Sequence, residues 1–333
     1  VYFGEWLTAN WFSPDYYLIV CRLVFTSFCK CKKCSVMKNI IFILVILFTT
    51  MPTLKADVKK WSLEQVGFLN IDRNEKDYGG FSGIVTQNEG SEALVVTDKS
   101  FFFVLALQRD KEDSLTGYSV VRKGQILSSK GERLNGRNTD SESIVVDENN
   151  NYYISFESNH RIMMHAEVEG KGVFVPKHPM FRKLSVNKGI EALAIDADNR
   201  LIAIPEKPPL GISDIPIFRL QNDKWEIIKH VKINDNFLVT DAEILPEGLL
   251  LVLERKFSWT QGFKTRFRLI SLDKFDNTEP ITVFTSTANQ FDNLEGVALW
   301  RDKRGEMRIL TVSDDNFHPL QQSEIREFFL KYE

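Results

Sequence analysis

Between Phe81 and Asp315 the chain alternates short apolar runs with polar turns, and the runs come in pairs. The stretches SESIVVDENNNYYISFE (141–157), GIEALAIDADNRLIAIPE (189–206), DAEILPEGLLLVLE (241–254) and NLEGVALWRDKRGEMRILTVSDD (293–315) share one grammar. An acidic residue stands at the opening of an apolar run. A turn of Asp, Asn, Gly or Pro follows, then a second apolar run that ends on Asp or Glu. A weaker copy, FSGIVTQNEGSEALVVTD (81–98), has Ser82 in the acidic position. Runs rich in Val, Ile, Leu and Phe around such turns predict antiparallel hairpins.

The copies begin at 82, 142, 191, 243 and 295. Repeats spaced by about 50 residues fit one four-stranded propeller blade each. Further apolar runs after each hairpin (HRIMMHAEV and GVFVP, IPIFRL and WEIIKHVKI, TRFRLISL and PITVFTS) supply third and fourth strands. The last copy is followed only by SEIREFFLKY, so its blade lacks a strand, and KWSLEQVGFLNI (60–71) is free to provide it. The reading is an all-β protein: a β-propeller of five four-stranded blades closed by the N-terminal strand of the mature chain. The long interval from 82 to 142 leaves room for a sixth blade.

Composition divides the chain into three parts. Met37 opens MKNIIFILVILFTTMPTLKA, with a basic Lys38, an unbroken apolar run from 40 to 48 and a small-residue cleavage site at Leu54-Lys55-Ala56, which reads as a secretory signal peptide over 37–56. An uncleaved N-terminal anchor is the alternative, but nine apolar residues are too few to span a bilayer. Residues 1–36 hold all four cysteines, in CKCKKC and its surroundings, without a standard zinc spacing, and read as an upstream extension ahead of a start at Met37. The mature domain is then 57–333, with 36 basic and 43 acidic residues and no cysteine. That acidic balance argues against a nucleic-acid partner. No later apolar stretch suggests membrane contact, and the expectation is a monomer in the periplasm or secreted.

The repeat also places chemistry. In an antiparallel hairpin the start of the first strand lies beside the end of the second. The acids therefore gather at one mouth of the central channel: Glu142, Glu191, Glu243 and Glu295 from the first strands, Asp98, Glu157, Glu206, Glu254 and Asp314 from the second. Two charges 4 Å apart interact by about 4 kcal/mol at an effective dielectric near 20. Such a ring needs cations, basic side chains or raised pKa values. Arg161, Lys207 and Arg255 follow closely after three of the second acids and are candidate substrate-binding bases. Ca²⁺, which takes several oxygen ligands, is the cofactor the second set of acids would suit. The same acids could equally clasp blades together, since ion-pair networks serve structure as well as function.

The stretches DSESIVVDENNNYYISFESNHRI, NKGIEALAID, DAEILPEGLLLVLERKFS and NLEGVALWRDKRGEMRILTVSDDNF resemble the family called esterase-like activity of phytase, over about 140–320. The resemblance implies a propeller, export from a Gram-negative bacterium and phosphoesterase-type chemistry resting on recurring acids, here Glu142, Glu157, Glu191, Glu206, Glu243, Glu254, Glu295 and Asp314. Ser143 departs from it, standing where a small Gly or Ala is usual, and so does Ser82.

The five histidines show no HExxH spacing, and no GxSxG, P-loop or GxGxxG motif is present. His160, just past one acid, is a candidate general acid that a polar loop residue would equally resemble. Trp259 and Phe263 lie on a segment after Glu254, either as a lid over the mouth or as edge packing. Two functions follow: a Ca²⁺-assisted hydrolase of a small phosphoric or carboxylic ester, with Glu142, Glu191, Glu243, Glu295 and His160 catalytic, or a non-catalytic propeller that binds a ligand or protein.

Overall fold

The computed structural model describes residues 60–71, 78–232, 235–273, 278–318 and 321–333. The expected signal peptide over 37–56 and upstream extension over 1–36 lie outside the described residues. Among the described ones no helix is long and apolar enough to cross a membrane.

Twenty strands form five four-stranded antiparallel sheets. β1 (Trp61–Ile71) comes first in the chain but belongs to the last sheet. Blade 1 is β2 (Phe81–Gln87), β3 (Glu92–Thr97), β4 (Phe101–Arg109) and β5 (Leu115–Gln125). Blade 2 is β6 (Ser141–Val146), β7 (Tyr152–Phe156), β8 (Arg161–His165) and β9 (Val173–Phe174). Blade 3 is β10 (Ile190–Ile195), β11 (Leu201–Pro205), β12 (Ile215–Gln221) and β13 (Lys224–Val231). Blade 4 is β14 (Leu238–Ile244), β15 (Leu249–Ser258), β16 (Gly262–Ser271) and β17 (Ile281–Thr285). Blade 5 is β18 (Leu294–Arg301), β19 (Met307–Ser313), β20 (Ser323–Tyr332) and β1. The long interval after residue 82 holds the 11-residue strand β5 and loops, so there are five blades and not six.

The turns explain why the hairpins recur. In DENNN, DADNR and DKRGE the leading Asp folds the chain back on itself. Asp147 Oδ1 accepts from the N–H groups of Asn149 and Asn151, Asp196 Oδ1 from those of Asp198 and Arg200, and Asp302 Oδ1 from those of Arg304 and Glu306, all at 2.8–3.1 Å. The fourth residue of each turn, Asn150, Asn199 or Gly305, is left-handed at φ near +60° to +78°, a conformation Asn and Gly adopt at low cost.

The first strands, β2, β6, β10, β14 and β18, touch one another in that order round the ring and line the channel. Apolar side chains on the blade faces form five cores, one between each pair of neighbouring blades. Val95, Phe103 and Ile325 belong to the core between blades 1 and 5; Phe267, Ile309 and Phe328 belong to that between 4 and 5. Small residues let the inner strands approach. A Cβ on Gly83 would come within 2.9 Å of the Ile144 amide nitrogen in blade 2.

β1 pairs with β20 from Trp61 opposite Tyr332 to Ile71 opposite Ser323, so the two ends of the domain share one sheet and close the ring. Deleting residues 60–71 is expected to unpair β20 along its length and abolish the single sharp melting transition, with aggregation, because exposed strand edges template association. A deletion variant that melts at the wild-type temperature in circular dichroism would place the closure elsewhere.

Candidate active site at the channel mouth

Each first strand is bulged near its start. Register breaks fall at Ser82 in β2, at Glu142–Ser143 in β6, at Glu191 in β10, at Thr240 in β14 and at Glu295 in β18. A bulge leaves one residue unpaired and re-aims its side chain. Beside it, the residue after the second strand is drawn in by a backbone bond. Asp98 N donates to Gly80 O, Glu157 N to Asp140 O, Glu206 N to Gly189 O and Asp314 N to Asn293 O, at 2.8–3.2 Å. Four of the expected pairs of positions are therefore adjacent in space, 82 with 98, 142 with 157, 191 with 206, and 295 with 314.

Blade 4 departs from the expectation. Its bulged residue is Thr240, three positions before Glu243, and opposite Leu238 stands Arg255 where the other blades have an acid. Glu243 lies further along β14, where burial and the N–H groups of Ile244 and Leu299 govern its carboxylate, at a pKa of about 7, without influence from the mouth. Glu254, the neighbour of Arg255, points to the opposite side. It is buried between Arg266 and Arg268, with Nε–Oε2 distances of 2.6 and 2.8 Å, as an ion cluster inside the blade. The apolar pattern matches equally well three residues out of register there, and only the bulge distinguishes the two alignments.

The bulged residues divide by chemistry. Ser82 Oγ donates to Ser141 O of the next blade at 2.5 Å, and Thr240 Oγ1 approaches Leu294 O of the next blade at 3.4 Å. A glutamate cannot donate in that way when ionised. Glu142, Glu191 and Glu295 instead meet one another and the second acids in the mouth.

Arg255 organises one side of this cluster. Its Nε lies 3.2 Å from Glu295 Oε1, its Nη1 donates to Asn293 Oδ1 at 3.0 Å, and its Nη2 is 3.8 Å from Glu206. Burial alone would lower its pKa, but Glu295, Glu206 and Glu191 outweigh that and leave it above the usual arginine value. Lys188 holds Glu206 at 2.6 Å. Asn293 Nδ2 donates to Glu295 Oε1 at 2.8 Å.

On the other side, Asp140, Glu142 and Glu157 can bring one oxygen each within 4.8 Å of one another. Burial, then the charges of Glu191, Asp140 and Glu157, push Glu142 well above the usual carboxylate range. Burial and Asp140 raise Glu157 to about 8, against the opposing pull of Lys188. Burial, then Glu206 and Glu157, raise Glu191 well above its usual value. Burial raises Glu295 to about 7 although Arg255 opposes it, and burial raises Asp314 to about 6. Burial and Asp314 raise Asp98 to about 7. Arg161 is buried under blade 2, stacked 4.0 Å from the Phe156 ring centroid with Nη2 donating to Asn138 O, while Nη1 has no hydrogen-bond partner among the described residues. Burial lowers its pKa to about 10 although Asp140 opposes this.

His160 is buried with a left-handed backbone, φ +33°. A Cβ on Gly189 would come within 3.2 Å of both its Nδ1 and Glu157 Cγ, so this glycine lets both side chains approach the blade 3 backbone. Burial and Lys177 lower the imidazole pKa, which keeps the ring neutral at pH 7. Lys207 is half-buried beside Glu206, but Lys188 makes the ion pair there.

Below the acids the channel is crossed. Ser143 Oγ donates to Asp241 Oδ1 at 2.8 Å and accepts from Leu193 N at 3.2 Å; Asp241 Oδ2 accepts from Val297 N at 2.8 Å. These residues come from blades 2, 3, 4 and 5, and blades 2 and 4 are not neighbours in the ring. Ser143 and Asp241 follow their bulges, where blades 1 and 5 have Gly83 and Gly296. The departure from a small residue at 143 thus has a partner that departs with it.

The six mouth carboxylates with raised pKa values, Glu142, Glu157, Glu191, Glu295, Asp98 and Asp314, bind more protons in the folded chain than in the unfolded one. Their contribution to stability is present below the unfolded value near 4.5 and is lost as pH rises through the folded values. In metal-free buffer the melting temperature is expected to fall as pH rises from about 5 to about 8. The double variant Glu157→Gln/Glu295→Gln should flatten that slope. A wild-type melting temperature that is constant or rises over this range would contradict the assignment.

No curated protein matches the chain. Among solved structures it is similar to the PQQ-bound aldose sugar dehydrogenase of Streptomyces coelicolor, at 13% identity and a TM-score of 0.48, covering 82% of this chain and 99% of that one. Endo-arabinase of Bacteroides thetaiotaomicron follows at 12% and 0.46, covering 77% and 94%. Virginiamycin B lyase of Staphylococcus aureus has 10% and 0.42, covering 82% and 100%. These likenesses carry no argument about activity. The family model described as Phytase-like, esterase-like activity of phytase, matches residues 76–317, which is most of the chain. By that match, this chain is a member of the Phytase-like family.

Proposed function

We propose that the chain is an exported hydrolase of phosphoric or carboxylic esters that works at the acidic mouth with the help of a calcium ion. The observation that carries this reading is the division of the mouth. Glu206 and Glu295 have basic partners in Lys188 and Arg255, whereas Asp140, Glu142 and Glu157 converge with no basic side chain in hydrogen-bond contact among the described residues. Three converging oxygen ligands and the raised pKa values of Glu142 and Glu157 suit a hard cation that completes its shell with water or substrate. Bound there, calcium would offset the charge of the carboxylates and polarise an ester oxygen.

The remaining residues supply binding and proton transfer. Arg255, fixed by blades 3 and 5, presents a permanent positive charge on the side of the mouth across from the triad, for an anionic or polarised ester oxygen. Glu295, with a pKa of about 7, is suited to take a proton from water. Glu191, whose pKa burial pushes well above the usual range and which the Gly189 N–H orients at 3.1 Å, is suited to give a proton to the leaving group.

The test is a titration and a hydrolase screen on the wild type, Glu142→Gln and Glu295→Gln. Wild type should bind Ca²⁺ in calorimetry, melt higher with added calcium, and cleave p-nitrophenyl phosphate, bis-p-nitrophenyl phosphate or p-nitrophenyl acetate. Glu142→Gln should lose calcium binding. Glu295→Gln should keep it and lose about 10²-fold or more in turnover. Calcium binding without turnover of any of the three esters would favour the non-catalytic ligand-binding propeller; no calcium response in the wild type would remove the metal from the reading.

A further inference from the structure

The β15–β16 hairpin runs on past Arg255 for several paired residues, with Lys256 opposite Lys264, Phe257 opposite Phe263 and Ser258 opposite Gly262. Because Arg255 marks the mouth, this extension stands above the mouth face. Trp259 at the tip is 93% exposed, touching Phe257 edge-on at 5.3 Å between centroids, and Phe257 in turn leans on Phe263 at 4.8 Å. An aromatic ladder of this kind leaves water on its outer rings at a cost that no contact within the domain offsets.

Between the hairpin and blade 5 lies a groove of about 360 Å³, within the size range of small-ligand sites. Phe257, Phe263 and Phe291 line it together with Asn289, Gln290 and Asp292. The amides are anchored by their carbonyl ends. Asn289 Oδ1 accepts from Phe263 N at 3.1 Å, and Gln290 Oε1 from Thr287 N at 2.9 Å. Their NH₂ groups have no acceptor among the described residues, so each is an oriented donor without a partner. The anchoring is tight. A Cβ on Gly262 would fall 1.7 Å from Asn289 Oδ1, so only glycine fits beneath it. Asp292 connects the groove to the mouth: its Oδ1 accepts from Asn293 N at 2.8 Å, and its charge acts on Asp314.

A lining that combines aromatic rings with oriented amide donors and a carboxylate acceptor matches one kind of ligand, a saturated ring with C–H bonds on its face and hydroxyl or ether oxygens round its edge. A purely apolar or aryl group would leave the amides unsatisfied. A fixed anion would meet Asp292 and Glu324, and the arginine in the lining, Arg326, is already paired with Glu324 at 2.8 Å. We infer that this groove, with the Phe257–Trp259 platform at its outer end, binds a neutral sugar residue of a glycan whose next portion extends toward the acidic mouth. The inference rests on the proposed active site only for which part of a substrate reaches the mouth; the groove itself binds without metal.

The probes are three neutral hexasaccharides, cellohexaose, chitohexaose and mannohexaose, followed by tryptophan fluorescence and calorimetry in chelator. At least one is expected to bind at millimolar concentration or below, with Trp259 fluorescence changed. Phe257→Ala and Gln290→Ala should each weaken binding about tenfold, the scale of one aromatic contact or one lost hydrogen bond. Both sites are away from the five blade cores, and melting curves verify that the variants fold. Glu142→Gln should bind the sugar as the wild type does, so loss of the metal reading leaves this result standing. Failure of all three sugars to bind, or binding that neither substitution weakens, overturns the inference. Sedimentation with vesicles of phosphatidylethanolamine and phosphatidylglycerol, abolished by Trp259→Ala in the absence of sugar binding, would also overturn it and make the hairpin a lipid contact.

Discussion

The ring closes through one sheet built from both ends of the domain, and everything at the mouth depends on that pairing. A propeller has no common core. Its apolar surface is buried in five separate interfaces, each of which needs a neighbour on both sides. Blade 5 would lack its outer strand without β1, and the interface with blade 1 would lose Ile71 and its neighbours. The same interface carries a buried ion cluster, in which Glu327 receives Arg109 at 2.8 Å, Arg308 at 3.3 Å and the Trp300 indole N–H at 3.0 Å. Such a cluster contributes little net stability but is costly to leave half-formed, so it favours one closure over any other.

Closure sets the radius at which five bulges face one another, and the bulges decide the electrostatics. Blades 2, 3 and 5 contribute a glutamate there; blades 1 and 4 contribute a hydroxyl that ties to the next blade. Arg255 then makes the ring unequal. The sector near blades 3, 4 and 5 carries its own counter-charges, while the sector at blade 2 concentrates acidic groups whose charge burial resists. One substitution of blade position, an arginine for an acid, turns a symmetric ring of like charges into a dipolar cup.

Much of this was legible in the chain itself. Five blades, the closing strand and the adjacency of the acids all follow from period, turn chemistry and hairpin topology, because each is a local pattern repeated. The misalignment in blade 4 shows where that reasoning stops. Thr240 and Asp241 replace the Glu-then-small-residue pair of blades 2, 3 and 5, so DAEIL matches the repeat through Glu243 while the backbone bulges at Thr240. Asp140 carries no repeat signal because it precedes the apolar run that defines the copy, although the backbone bond from Glu157 fixes it at the mouth. Lys188 and Asn293 occupy comparable flanking positions and are silent in the pattern for the same reason. The bond from Ser143 to Asp241 joins residues 98 positions apart in non-adjacent blades, and no local signal could announce it.

That bond gives the molecule a floor. Many toroidal proteins are open along their axis, but here a hydroxyl and a carboxylate meet across it just beneath the acidic residues. A linear molecule therefore cannot be drawn through the ring and worked on along its length. Whatever the mouth accepts must enter and depart on the same side, so each product has to clear before the next molecule arrives. Repeated action on one long polymer then requires a hold outside the cup, on the rim, rather than a track through the centre.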